Sequence, residues 1–183
     1  MRALEFSREQ VARVLRQGDR ALDATCGNGK DTLFLAGCVG PQGKVYAFDI
    51  QEQALAKTRE LLVSRGMEGR VALFCGNHAE LLDLVQEPLR AAMFNLGYLP
   101  GGDHGIITRP GTTIPALEGA LSLLVPGGLA SVVAYRGHPG GQEEANRVQA
   151  YLENLSQQEF SILHYRYINQ ANDPPELFLV EKL

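Results

Sequence analysis

A glycine turn and a downstream acid occur at spacings that could hold a nucleoside-containing ligand. In the segment DATCGNGKDT, Asp23 precedes Gly27 and Gly29, which allow a sharp turn and a close approach of the backbone to a ligand. Asp49 follows Gly29 by 20 residues, where its carboxylate could accept hydrogen bonds from two ribose hydroxyls. This spacing predicts an adenosyl ligand.

The residues around the turn narrow the class of ligand. A dinucleotide-binding turn has a third glycine where Thr32 stands, and Asp23 would repel a diphosphate. Asp23 would not repel the ammonium group of a methionine. Asn77 and His78 follow the third apolar run, where a side chain could contact the edge of an adenine. The pattern favours S-adenosylmethionine over NAD, and a transferase reaction.

A second unusual segment is FNLGYLPGGDH, residues 94–104, which leaves an apolar run through several turn-forming residues. The segment NLGY resembles the Asn/Asp-Pro-Pro-Tyr motif that is often found after the fourth strand in methyltransferases acting on amino groups of bases. The sequence NLGY keeps the outer residues of that motif, Asn95 and Tyr98. Asn95 is predicted to accept a hydrogen bond from the acceptor amine, and Tyr98 to stack on a base. The alternative is that Asn95 caps a turn and Tyr98 packs under it.

Strands and helices alternate around these segments. Five predicted strands are RALDAT, KVYAFD, RVALFC, AAMFNL and LASVVAY. Each is followed by one predicted helix, and in the same order these are KDTLFLAGC, QEQALAKTRELLVSRG, HAELLDLVQ, TIPALEGALSLL and QEEANRVQAYLENL. A first helix starts at a capping box of Ser7 and Gln10 and ends near Gly18, and PGG is a turn before LASVVAY. FSILHYRYIN and ELFLVEKL close the chain as an antiparallel hairpin. The alternation predicts an α/β three-layer sandwich with a mostly parallel seven-stranded sheet.

Length and composition limit the class of protein and the partners that the sequence allows. The 183 residues, 45% hydrophobic, predict a single domain over residues 1–183. No apolar run approaches the ~20 residues of a membrane helix, and no signal-peptide pattern is seen. Cys26, Cys38 and Cys75 are expected to be reduced thiols, which predicts a cytoplasmic protein. The four histidines are scattered, so no metal is expected, and the net charge of −4 does not favour a nucleic-acid partner.

The segments LDATCGNGKDTLFLA, FNLGYLPGGDH and GHPGG together resemble the YtqB/MnmM group of small class I methyltransferases, often filed as rRNA methylases. The resemblance covers nearly the whole chain, although Lys30 stands where His or Asn is expected. It implies a Rossmann-like class I methyltransferase fold and S-adenosylmethionine as cofactor. The cofactor-binding residues would be Asp23, Cys26, Gly27, Asn28, Gly29, Asp31, Thr32, Asp49, Ile50, Gln51, Asn77, His78 and Asn95.

The resemblance further implies a substrate, the aminomethyl group of 5-aminomethyl-2-thiouridine at the tRNA wobble position. Such an amine is mostly protonated at neutral pH, and Asp103 or His104 could take its proton. Asn95, Tyr98, Asp103 and His104 are therefore the predicted catalytic residues. Contacts with the anticodon region of the tRNA are predicted for Tyr98, Pro100, Arg109, Tyr135 and His138, with Arg136 as a further candidate. The alternative for these loop residues is an ordinary surface position.

Three other functions stay open at this point. The first is an rRNA or other RNA methyltransferase that uses the same pocket. The second is a small-molecule N- or O-methyltransferase, which the short chain and acidic charge allow. The third is a cofactor-binding protein without catalysis. DNA and membranes are not expected partners, and a homodimer is expected because a small acidic domain offers little surface to RNA.

Overall fold

The computed structural model describes residues 2–101 and 105–183. Its strands are β1 (Arg20–Asp23), β2 (Lys44–Asp49), β3 (Val71–Cys75), β4 (Leu89–Leu96), β5 (Leu124–Ala134), β6 (Phe160–Tyr165) and β7 (Glu176–Lys182). Its α-helices are α1 (Ala3–Val14), α2 (Lys30–Val39), α3 (Glu52–Ser64), α4 (Leu81–Leu84), α5 (Pro110–Leu123) and α6 (Gly141–Glu153). Short 3-10 turns lie at Glu68–Arg70 and His78–Glu80. Within the described ranges, no helix is long and apolar enough to cross a membrane.

The seven strands form one sheet in the order β3-β2-β1-β4-β5-β7-β6. Strands β1 to β5 pair in parallel, and β7 runs antiparallel to both of its neighbours, β5 and β6. Because helices cover both faces, the central strands contain continuous buried apolar runs, such as Ala91–Phe94. The predicted fold, an α/β sandwich with an antiparallel end to a mostly parallel sheet, is confirmed.

The side-chain alternation of the strands decides which helices each residue meets. On β4, Ala92, Phe94 and Leu96 pack towards α4, α5 and α6, whereas Ala91 and Met93 pack towards α1, α2 and α3. Successive side chains of a strand point to opposite faces. Asn95 therefore continues the row of Met93 and faces α1 and α2.

Strand order reverses between β1 and β4, because β2 and β3 continue on one side of β1 while β4 and β5 continue on the other. The chain segments that leave β1 and β4 separate there, towards α2 and α5 respectively. Such a switch leaves a crevice at the carboxyl ends of the strands, which is where ligands bind in open α/β sheets. In this protein both predicted binding segments start at that crevice.

The first helix begins earlier than the predicted capping box. Helix α1 starts at Ala3, and the Arg2 backbone N–H donates to Glu5 Oε2 at 3.1 Å. Ser7 lies inside the helix, fully buried, with its hydroxyl 2.5 Å from the Ser131 hydroxyl on β5. The prediction that Ser7 caps the helix is wrong, because a small polar residue suits a helix cap and a tight helix–sheet contact equally well.

Three further boundaries differ from the prediction. Helix α5 starts at Pro110, because proline needs no N–H donor in a first turn. The segment PGG is part of β5, where an irregularity in the β4–β5 pairing and a φ of +71° at Gly127 take the place of a turn. The predicted helix HAELLDLVQ is only the 3-10 turn followed by the four residues of α4.

The tight packing at the start of α2 leads to a testable expectation. Gly29 has a φ of +76°, and a Cβ there would lie 2.7 Å from Thr58 Oγ1. We expect Gly29→Ala to lower the free energy of unfolding by about 2–3 kcal/mol, because backbone strain and a clash act together. Gly18→Ala is the matched control: its φ is +90° but nothing lies within 4 Å of a new Cβ. Urea unfolding should show a loss of about 1 kcal/mol there. Equal losses in the two variants would contradict the role of Thr58.

Candidate functional site

A cavity of about 760 Å³ opens at the carboxyl edge of the sheet. Cavities of this size hold drug-sized ligands and cofactors. Its walls include four chain segments and two residues of α1, namely residues 24–28, 48–51, 76–78 and 95–101 with Leu4 and Arg8. The cavity thus joins the glycine turn to the segment that follows β4.

The glycine turn connects β1 to α2 and is held by the neighbouring strand and helix. Gly27 has a φ of +53°, its N–H donates to Asp49 Oδ2 at 2.8 Å, and its carbonyl accepts from Thr58 Oγ1 at 2.9 Å. Cys26 is buried beside it, and burial raises the pKa of its thiol to about 12. Cys26 is therefore a packing residue, and the backbone of the turn is the part available to a ligand.

Asp49 ends β2 with both carboxylate oxygens oriented by the backbone. Oδ1 accepts from the Gln51 N–H at 2.9 Å, and Oδ2 from Gly27. Each oxygen keeps a further lone pair for a ligand hydroxyl. Ile50, with 55% of its surface exposed, lines the same cavity. A fixed carboxylate beside an apolar surface suits a ribose and its attached base.

Asp23 lies beneath the turn instead of on the cavity surface. It is fully buried and accepts hydrogen bonds from Thr32 Oγ1 at 2.6 Å and the Thr25 N–H at 3.2 Å. Burial, and then the negative charge of Asp31, raise the pKa of Asp23 to about 7. Neither Asp23, Thr32 nor Gly29 lines the cavity. These three predicted cofactor-binding residues shape the turn from below, and a ligand meets Asp23 only through its charge.

The two residues predicted to contact adenine differ in what they can offer. Asn77 Oδ1 accepts from the Ala79 N–H at 3.0 Å and so caps the following 3-10 turn. His78 Nδ1 lies 2.9 Å from the Ala24 carbonyl, which can only accept, so Nδ1 carries the proton. Burial lowers the pKa of His78, so the ring is neutral and Nε2 is an acceptor. That Nε2 is buried without a partner among the described residues.

Asn95 is fixed by contacts with two parts of the fold, the glycine turn and helix α2. Its backbone N–H donates to Thr25 Oγ1 at 2.7 Å, and its side-chain Nδ2 donates to Asp31 Oδ2 at 2.5 Å. The other oxygen of Asp31 accepts from Arg8 Nε of α1, also at 2.5 Å. A carboxylate cannot donate, so Nδ2 must face Asp31 and Oδ1 must face away. Asn95 Oδ1 is buried and has no partner among the described residues.

The segment after β4 reaches back to the glycine turn. Asn28 Nδ2 donates to the Pro100 carbonyl at 3.1 Å. A Cβ on Gly27 would lie 3.3 Å from Leu99 Cδ1, so the Leu99 side chain covers the turn. The segment that was predicted to hold the acceptor therefore borders the predicted cofactor turn.

A buried acid holds the two ends of this segment. The Gly97 N–H donates to Thr108 Oγ1 at 2.8 Å, and the Thr108 N–H donates to the Gly97 carbonyl at 2.9 Å. The Thr108 hydroxyl donates to Glu144 Oε2 at 2.7 Å, and Thr113 Oγ1 donates to Glu144 Oε1 at 2.6 Å. Glu144 is only 1% exposed. Helices α5 and α6 are thus joined to the end of β4 through one carboxylate.

Aromatic rings form the outer wall of the cavity. Tyr98 is 40% exposed and meets the His138 ring edge-on, with centroids 5.8 Å apart. His138 Nδ1 donates to the Pro139 carbonyl at 3.1 Å, and its Nε2 is buried without a partner among the described residues. Tyr135 is 38% exposed, and burial of its hydroxyl, followed by the charge of Asp31, raises its pKa. Tyr98, Tyr135 and His138 therefore lie where a substrate base could enter.

Other predicted residues are not brought to the cavity. Arg109 is exposed and does not line it. Arg136 does not line the cavity either, and it forms an ion pair with Glu176, Nε to Oε1 at 3.0 Å. Asp103 and His104 lie outside the described residues. Within the described part of the chain, no group of three or more His, Cys, Asp or Glu could hold a metal ion.

Among the described residues, the buried side-chain atoms without a partner in this cavity include two acceptors, His78 Nε2 and Asn95 Oδ1. His138 Nε2 is likewise buried without a partner among the described residues, and all three residues line the cavity. Buried acceptors of this kind are costly unless a ligand supplies N–H or O–H donors. The amino group, hydroxyls and ammonium of S-adenosylmethionine, together with an acceptor amine, are such donors.

Residues 45–181 match the protein family described as "Putative rRNA methylase". The chain is also 39% identical, over 191 aligned residues, to an Arabidopsis thaliana protein named "tRNA (mnm(5)s(2)U34)-methyltransferase, chloroplastic". That alignment covers 99% of this chain and 70% of the plant protein. The chain belongs to this rRNA methylase family.

Two solved structures are similar to this chain over its whole length, and the second of them supports the cofactor. One, of a protein named a putative rRNA-methylase from Clostridium thermocellum, has a TM-score of 0.98 and 44% identity, covering 100% of this chain and 98% of that one. The other is a putative methyltransferase from Streptococcus mutans in complex with SAH, with a TM-score of 0.93 and 42% identity, covering 100% and 99%. This protein is therefore an S-adenosylmethionine-dependent methyltransferase. The predicted cofactor is confirmed.

Several functional residues of this methylase were missed by the sequence analysis. Arg8 was hidden by the misplaced start of α1. Glu144 had a readable signal: with Val148 and Leu152 it forms a row at spacing of four along α6, and this places an acid on the buried side of the helix. Thr108 and Leu99 carried no local signal, because their contacts come from elements distant in sequence.

The position of Asp49 predicts a specific effect on the methylase's cofactor affinity. The Asp49 carboxylate accepts hydrogen bonds from two backbone N–H groups. In Asp49→Asn, the side-chain NH2 group would face one of them, so two donors would meet and one hydrogen bond would be lost. We expect the dissociation constant for S-adenosylhomocysteine to rise at least tenfold (about 1.4 kcal/mol), measured by calorimetry. Glu52→Gln removes an equal charge from an exposed position nearby and should leave the constant unchanged. An equal effect in both variants would rule out the specific contact.

The buried Asp23 predicts a pH dependence of stability. Its pKa is about 7 in the folded protein against 3.8 for the unperturbed carboxyl, so between these values the native state holds a proton that the unfolded chain has lost. Stability therefore falls as pH rises through this window. In Asp23→Asn this fall is absent, so the variant should gain on the order of 1–3 kcal/mol relative to wild type between pH 5 and 8. Urea unfolding of both cofactor-free proteins measures it, with the exposed-site variant Asp83→Asn as control. A constant difference across pH would contradict the assignment.

Proposed function

We propose that this enzyme transfers a methyl group to the aminomethyl nitrogen of 5-aminomethyl-2-thiouridine at the wobble position of tRNA. The observation that carries the proposal is the open carbonyl oxygen of Asn95, which is buried in the cavity beside the glycine turn. Its surroundings suit an amine that approaches from the side of Tyr98. The substrate itself is suggested by the name of the Arabidopsis thaliana relative, which is 39% identical to this chain.

Each group of residues has a defined task in the proposed reaction. Bound S-adenosylmethionine supplies the electrophilic methyl group. The carboxylate of Asp49 would hold the ribose, and Asn95 Oδ1 would accept a hydrogen bond from the acceptor nitrogen. Tyr98 would stack on the base, since aromatic stacking contributes ~1–3 kcal/mol per base. Most of the rate would come from alignment of the nitrogen at about 3–3.5 Å from the methyl carbon.

Ribosomal RNA is the second candidate substrate. The matching family and the Clostridium thermocellum protein both carry names that refer to rRNA. The same cavity would serve either substrate, because an aminomethyl group and a base amine both bring N–H donors to Asn95. The two proposals differ only in which RNA places an amine there. A homodimer likewise stays a prediction.

Nucleoside mass spectrometry tests the substrate directly. The enzyme is incubated with labelled S-adenosylmethionine and either tRNA that contains 5-aminomethyl-2-thiouridine or unmodified rRNA. We expect one labelled methyl group on the aminomethyl nucleoside and none in rRNA. Label in rRNA alone would favour the second candidate. No transfer to any RNA, with intact cofactor binding, would contradict an RNA substrate altogether.

Tyr98 provides the test of the proposed base contact. In Tyr98→Ala, turnover on tRNA should fall roughly 5- to 150-fold, which corresponds to the loss of ~1–3 kcal/mol of stacking. Affinity for S-adenosylhomocysteine should stay within twofold, because the ring lies on the outer wall of the cavity. Tyr98→Phe keeps the ring and is the matched control, with turnover near that of wild type. Unchanged turnover in the alanine variant would exclude stacking on Tyr98.

A further inference from the structure

We propose that the Asp31 carboxylate binds the protonated amine of the acceptor and takes its proton, so that Asp31 is a catalytic residue selecting a cationic aliphatic amine. This inference rests on the proposed function and names the group that prepares the nucleophile. From the sequence, Asp31 is predicted to bind the cofactor, and Asp103 or His104 to take the proton.

The carboxylate of Asp31 is held firmly but is not saturated. Arg8 Nε donates to Oδ1 and Asn95 Nδ2 donates to Oδ2. A carboxylate has about four lone-pair positions, so about two stay open. Asp31 is 7% exposed, and it lines the cavity. Its remaining capacity is therefore directed to whatever enters that space.

The neighbouring amide supplies a second acceptor for the same ligand group. Because Asn95 Nδ2 faces Asp31, its Oδ1 is forced to the other side, where it is buried and unpartnered among the described residues. A primary ammonium has three N–H donors, as in lysine, and can satisfy two such acceptors at once. A conjugated base amine is uncharged and would gain little from the negative charge of Asp31. The pair Asp31 and Asn95 therefore fits an ammonium better than a conjugated amine.

The charge of the acceptor must be removed before methyl transfer. Asp31 accepts one proton from the ammonium, which frees the nitrogen lone pair. As the nitrogen–carbon bond forms, the sulfur–carbon bond breaks and its electron pair stays on sulfur. The product nitrogen is a secondary ammonium, and the proton held by Asp31 passes to solvent through the open cavity. Atoms and charge balance, with one proton released for each methyl group transferred.

Several charged or titratable groups act on Asp31 from the elements around it. They are Arg8 on α1, Asp23 at the end of β1, Tyr135 after β5 and Lys30, which precedes Asp31 on α2. Asp23, with a pKa of about 7, is the one that changes charge near neutral pH. A comparison made at pH 7.5 and above, and expressed as a ratio of variant to wild type, separates Asp31 from this titration.

The competing explanation is that Asp31 only orients Asn95. Asp31→Asn distinguishes the two roles because the new amide cannot take a proton. Its single oxygen can still accept from Asn95 Nδ2, and its NH2 group then faces Arg8 Nε, so the contact with Arg8 is lost. We expect kcat/KM of this variant to be about 100-fold or more below wild type at pH 7.5. The deficit should shrink about tenfold per pH unit as solvent deprotonates the amine, while wild type stays flat below the pKa of the amine. The substrate is an anticodon stem-loop containing 5-aminomethyl-2-thiouridine.

The outcomes separate this inference from the proposed function. If wild type methylates the stem-loop and the two pH profiles run parallel, Asp31 is only a positioning residue and the inference is overturned. If the wild-type enzyme does not methylate the stem-loop, both the proposed substrate and the inference about Asp31 are wrong. Binding of S-adenosylhomocysteine, within threefold of wild type, establishes that the variant is folded.

A measurement on wild type alone covers the case of a misfolded variant. With S-adenosylhomocysteine bound, the aminomethyl stem-loop should bind at least tenfold more tightly at pH 7.5 than a matched stem-loop with 5-methyl-2-thiouridine. The advantage should vanish at a pH where the amine is uncharged, because Asp31 then faces no cation. Equal affinity of the two RNAs at pH 7.5 would overturn the ammonium site.

Discussion

The pairing of β1 with β4 is the constraint on which the site depends. The Ala24 N–H donates to the Met93 carbonyl at 2.9 Å, and the Asn95 N–H donates to Thr25 Oγ1 at 2.7 Å. These bonds extend the parallel pairing past the last residue of β1, so the glycine turn and the acceptor segment leave the sheet side by side. Methyl transfer needs donor and acceptor atoms aligned within a few tenths of an ångström, and regular backbone holds such a distance better than a loop could.

The three aspartates near the cavity differ in the partners of their carboxyl groups. Asp49 is oriented by two backbone N–H groups, and Asp31 is paired with Arg8. Among the described residues, Asp23 accepts from Thr32 Oγ1 and from the Thr25 N–H, and burial raises its pKa to about 7. An incoming sulfonium and ammonium would favour the charged form of Asp23, since opposite charges lower the pKa of an acid. Through this charge effect, cofactor binding would favour the loss of a proton from Asp23.

The sequence predicted the sheet, its order of elements and the turn because those features depend on local patterns. Apolar runs such as KVYAFD correspond to β2 residue for residue, and Gly27 and Gly29 have the expected positive φ. Contacts between distant segments were not readable. Arg8 meets Asp31 across 23 residues, and Thr108 meets Glu144 across 36, so neither pair leaves a periodic trace. What the sequence could not supply was the direction in which Asn95 and Tyr135 face, which follows from strand register.

The replacement of proline in the acceptor motif follows from how this segment is held. The base methylases have proline at the position of Gly97, which fixes the backbone through its ring. Here the Gly97 N–H donates to Thr108 Oγ1, and its φ is +154°; a proline could provide neither. Thr108 in turn donates a hydrogen bond to Glu144, which also accepts one from Thr113. Rigidity therefore comes from α5 and α6 through a buried carboxylate, and a change in that packing would shift the acceptor site without touching a residue that contacts substrate.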